Sequence, residues 1–73
     1  MKAKEMFEAL GYEFVYENEL GLKYTQRDRP YKRAEFYKEE KTYQFIISGT
    51  DQLVDTRTHL AIHQQMRELG WLE

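Results

Sequence analysis

The same helix-ending signal stands near both ends of this chain, and between the two signals the hydrophobic period is two. Leu10-Gly11-Tyr12 closes the first segment and Leu69-Gly70-Trp71 closes the last. A glycine after a helical run supplies the left-handed residue that stops it, and an apolar residue next along folds back on the last turn. Ahead of the first signal, Ala3, Met6, Phe7 and Leu10 fall at the i, i+3, i+4, i+7 spacing of one helix face. Ahead of the second, Leu60, Ile62, Met66 and Leu69 supply the apolar face. Asp55 or Thr56 is placed to accept hydrogen bonds from the free N–H groups that open that helix. Common helix-ending chemistry explains the repeat better than duplication does.

Alternation by twos marks strands. Phe14 and Tyr16 alternate with Glu13, Val15 and Glu17; Leu22 and Tyr24 with Lys23 and Thr25; Ala34 and Phe36 with Glu35 and Tyr37. Tyr43, Phe45 and Ile47 alternate with Gln44, Ile46 and Ser48. Turns are expected at Glu17-Asn18-Glu19, from Arg27 to Tyr31 around Pro30, and at Glu39-Glu40-Lys41. Loops this short join antiparallel neighbours. The expected fold class is therefore α+β: a four-stranded antiparallel meander sheet with N- and C-terminal helices packed on one face, in the order α-β-β-β-β-α. Leu53-Val54 either adds a short edge strand or packs under the loop.

Composition bounds what such a fold can do. Seventy-three residues make one small domain, residues 1–73, with an expected radius of gyration of about 11 Å. Six Tyr, four Phe and one Trp offset the small size, because each ring buries roughly 150–250 Å². The absence of cysteine rules out a disulfide scaffold and a Cys-based zinc module, and tilts the reading toward the cytoplasm. No signal peptide or membrane span is expected, since the opening Met1-Lys2-Ala3-Lys4-Glu5 leads into an amphipathic stretch. The net charge of −2 is unevenly spread: residues 23–33 hold Lys23, Arg27, Arg29, Lys32 and Arg33 against Asp28 alone.

Ala3-Lys4-Glu5-Met6-Phe7-Glu8-Ala9-Leu10-Gly11-Tyr12 resembles the start of a group of short uncharacterised phage and prophage proteins of Gram-positive bacteria. His63-Gln64-Gln65-Met66-Arg67-Glu68-Leu69-Gly70-Trp71-Leu72 resembles their end. The similarity runs in order over most of the chain and is carried by the two helices. It implies a bacterial cytoplasmic setting and a phage accessory role, with no reaction and no catalytic residues to carry over. The middle of this chain is more basic than is usual in that group, so what is particular to it is expected between Lys23 and Arg33.

Catalytic and metal constellations are thin. His59 and His63 share a helix face, but the position beside the first is Leu60 where a zinc hydrolase places its glutamate, and no third ligand is evident. Two partly exposed helix histidines are the simpler reading. Ser48-Gly49-Thr50-Asp51-Gln52 reads as a turn, not as a nucleophile with its base. The four glycines are scattered, so no phosphate-cradling loop exists. No enzymatic activity, cofactor or metal is expected.

Two surfaces remain. If Phe14, Tyr16, Leu22, Tyr24, Phe36, Phe45 and Ile47 face the helices, then Val15, Tyr37 and Ile46 face outward among Glu13, Lys23, Glu35 and Gln44. Apolar groups ringed by charge suit a modest protein interface, although any open sheet face keeps some apolar residues. The second surface is the basic hairpin: Lys23, Arg27, Arg29, Lys32 and Arg33 could neutralise phosphates while Tyr31 stacks on a base. The plainer account is a solvated hairpin whose charges keep edge strands apart. The expected function is protein binding, to a host or phage protein or a second copy of the chain; the resemblance implies the phage setting, as in a host-takeover or anti-defence inhibitor. The alternative is a nucleic-acid-binding accessory protein using residues 23–33.

Overall fold

A computed structural model describes residues 1–28, 32–47 and 53–72. The elements are α1 (Ala3–Ala9), β1 (Tyr12–Glu17), β2 (Gly21–Gln26), β3 (Arg33–Tyr37), β4 (Thr42–Ile46) and α2 (Thr56–Glu68). The four strands form one antiparallel sheet in the order β1-β2-β3-β4. Both helices lie on one face, as the apolar alternation requires, and the radius of gyration is 11.6 Å.

The two glycine stops share a mechanism. Gly11 takes φ 90° and Gly70 φ 78°, the left-handed region where a side chain is strained. At the second stop Gly70 N donates to Arg67 O and Trp71 N to Met66 O, the paired closure of a Schellman end. At the first, Gly11 N donates to Glu8 O, but Tyr12 leaves at once as the first residue of β1. Asp55 caps α2 by accepting from Thr58 N at 2.7 Å. That bond holds its carboxyl below the usual carboxylate range. The start of α1 is finished from far along the chain: Ala3 N donates to Glu68 Oε2 at 2.7 Å.

Asn18 Oδ1 accepts from Leu20 N and Gly21 N and closes the β1–β2 turn. Gln26 N donates to Lys32 O across the mouth of the next loop, and Lys41, with φ 57°, ends the third turn. Gly21 could be no other residue. A Cβ there would lie 1.9 Å from Phe36 O, inside the backbone of β3.

The core joins Phe7 of α1, Tyr12, Leu22, Tyr24, Ala34 and Phe36 of the sheet, and Ala61 and Ile62 of α2. The rings of Phe7 and Tyr24 stack at 4.1 Å, and Phe36 meets Phe7 edge-on at 6.4 Å. Within this core Tyr24 Oη donates to Gln65 Oε1 at 2.6 Å, which satisfies two buried polar groups together.

Four expectations need correction. Tyr16 does not face the helices: the β1–β2 register slips between Phe14 and Tyr16, Val15 is the extra residue, and Tyr16 pairs with Lys23. A bulge of this kind flips every later side chain of the strand to the other face. Phe14 keeps the helix side but sits at its margin, 37% exposed. Leu60 is 50% exposed, and the buried stripe of α2 is Thr58, Ala61, Ile62 and Gln65. Small Ala61 suits the close approach of α1, where Ala3 is also fully buried. Ile47 falls beyond β4 and is half-buried, while Leu53 and Val54 form no strand and are exposed.

Candidate interaction surface

Register fixes which side chains share the face away from the helices. Its central row runs Tyr16, Lys23, Glu35, Gln44 across the four strands. One flanking row is Glu13, Thr25, Arg33, Ile46, and the other is Gly21, Tyr37, Thr42. Tyr37 and Ile46 thus share the expected face, but they stand four residues apart along β3 and β4, roughly 13 Å. The charged central row separates them. Val15, at the bulge, is 49% exposed.

Tyr16, which alternation alone assigns to the core, is 43% exposed and stands near Tyr37. Gly21 carries no side chain between the two rings, so they share an open strip at one end of the face. The phenol of Tyr37 donates to Glu35 Oε1 at 3.0 Å and lies 3.3 Å from Gln44 Oε1. Burial pushes its pKa up, and the bond to the Glu35 carboxylate adds to the rise. Glu35 also draws Lys23 Nζ to 3.9 Å and Arg33 Nε to 3.8 Å. The face therefore presents two tyrosine rings beside a carboxylate-centred polar network.

Among the described residues, the cations of the basic hairpin do not gather into one patch. Arg29 and Tyr31 lie outside the described residues. Lys23 and Arg33 flank Glu35 on the open face. Arg27 instead lines a cleft of about 420 Å³ at the α1–β1 junction with Lys4, Glu8, Tyr12, Glu13 and Phe14. That cleft balances two cations with two carboxylates, and the Lys4 ammonium lies 5.2 Å over the Phe14 ring. Lys32, half-buried, lies close enough to Asp55 to help hold that carboxyl down.

His59 and His63 are both exposed on α2. Among the described residues no three His, Asp or Glu side chains could hold one metal ion. Ser48 through Gln52 lie outside the described residues. The buried phenols of Tyr12 and Tyr24 have raised pKa values, chiefly from burial, and Tyr24 donates to Gln65 as a neutral phenol. No described helix is long and apolar enough to cross a membrane. Set against protein families, curated proteins and solved structures, the chain matches none of them.

Proposed function

We infer that this protein is a small binding module whose open sheet face engages a protein partner. The observation that carries this reading is the exposed strip of Tyr16 and Tyr37 with Val15 beside it, uncovered by any described element. Tyrosine is suited to such a role: it offers a large rigid surface with a polar tip and loses little rotamer freedom on binding. The phage accessory setting implied by the resemblance gives the reading its biology, with a host factor bound and blocked or redirected.

The nucleic-acid reading has less support. Lys23 and Arg33 lie beside Glu35, and Arg27 lines a cleft that also holds two carboxylates, so these cations form no continuous track for a phosphate backbone. Affinity capture from a bacterial lysate tests the protein-binding reading. The wild type is compared with Tyr16→Ser/Tyr37→Ser. The double variant is expected to fold normally and to lose the captured protein. Unchanged capture would remove the open face from consideration. A labelled oligonucleotide bound at low salt, and released steeply as salt rises, would favour nucleic acid instead.

A further inference from the structure

The two edges of the sheet are defended differently. β1 carries Glu13 and Glu17, and its register breaks at Val15; both features discourage another strand from pairing there. β4 has neither. Thr42-Tyr43-Gln44-Phe45-Ile46 contains no charge, proline or glycine, and its five pairs with β3 run without a break. Such a strand presents a straight row of main-chain donors and acceptors, and no other described strand pairs with its outer edge.

We propose that β4 pairs with β4 of a second copy of this chain, antiparallel about a two-fold axis through Gln44, to give one continuous eight-stranded sheet. The strand is self-complementary in this register. Two-fold pairing of antiparallel strands sets each residue opposite one on its own face. Centred on Gln44, it matches all five residues of the strand. Tyr43, which is 44% exposed on the helix side, meets Phe45 of the second copy. Thr42 meets Ile46, and Gln44 meets its own equivalent on the open side. The strand itself carries no charge, so no like charges meet within it, and the two Glu35 side chains that flank Gln44 stand three strand spacings apart, about 14 Å. The two open faces then merge into one surface. The tyrosine strip reaches this edge through Tyr37, whose hydroxyl lies 3.3 Å from Gln44 Oε1.

Sedimentation of the full chain tests the proposal. The wild type is expected at twice the 8.9 kDa of one chain. Gln44→Lys places an ammonium beside Glu35 within one copy, where it is tolerated, but opposes two ammonium groups across the axis. It should weaken dimerisation by up to about fivefold. Gln44→Glu should do the same, and mixing the two variants should restore a one-to-one dimer. Val15→Ser, on the other edge, should leave the dimer unchanged, so a failure of the tyrosine strip and a failure of this edge are distinguishable.

Should the charged variants fail to fold, Gln44→Cys gives a second readout in a chain that has no cysteine. Directly paired strands hold Cα atoms about 4.5–5.5 Å apart, within disulfide reach, so oxidation should yield a covalent dimer. A monomeric wild type, a dimer insensitive to both charges, a mixture that stays monomeric, or a cysteine variant that does not cross-link would each overturn the pairing.

Discussion

The two faces of the sheet use tyrosine in opposite ways. On the covered face Tyr24 stacks on Phe7 at 4.1 Å and gives its hydroxyl to Gln65, so ring and polar tip are both consumed inside the fold. On the open face Tyr37 donates to Glu35 beside Gln44, so its hydroxyl is held, and Tyr16 stands opposite Lys23 in the strand register; both rings stay in solvent. The first arrangement holds the domain together and the second holds a surface ready. An aromatic count does not separate these uses; what each ring touches does.

Substitutions can break this contrast, the largest first. Phe36→Ala on the covered face removes a fully buried ring and should cost about 3–5 kcal/mol in denaturant unfolding. A domain of this size is stabilised by only about 4–11 kcal/mol, so the variant should be partly unfolded at modest denaturant. Tyr24→Phe keeps the stacking but strands Gln65 Oε1, and should cost roughly 1–3 kcal/mol. Tyr37→Phe on the open face loses one exposed hydrogen bond and should change the unfolding free energy by less than about 0.5 kcal/mol. If Tyr37→Phe proved as costly as Tyr24→Phe, the open face would have to be counted as part of the core.

Alkaline pH sharpens the same contrast without mutation. Burial raises the pKa of Tyr24 and Tyr12 above the ordinary 10.0, so their contribution is complete below pH 10. Above that pH the unfolded chain loses phenolic protons that the folded chain keeps, and stability falls as pH rises. Thermal melts should decline above pH 10, and Tyr24→Phe should show a shallower decline. An equally steep decline in that variant would assign the effect to other groups.

The sequence makes the element order readable because each boundary has a local cause: two left-handed glycines, an aspartate cap and three polar turns. It does not reveal the bulge. Glu13-Phe14-Val15-Tyr16-Glu17 alternates acceptably whether or not one residue is skipped, and only the pairing with β2 shows that Val15 is the extra residue. Tyr16 was therefore hidden as a surface residue, and with it half of the tyrosine strip. Leu60 misleads for a related reason. The face that α2 turns inward is set by the close approach of α1 and by the hydroxyl of Tyr24, which select Ala61 and Gln65 over a larger apolar residue. Gly21 reads as an ordinary turn glycine, and its constraint becomes visible only with the backbone of β3 against it.

The carboxylate of Glu68 at the first N–H of α1 has a consequence for the order of assembly. α1 spans only seven residues, too few to persist alone in water, and its opening bond waits for a residue sixty-five positions later. During folding α1 is thus among the last segments to settle. The hairpins are local pairings that can form before α2 docks, and the arrival of Glu68 then fixes α1 in place.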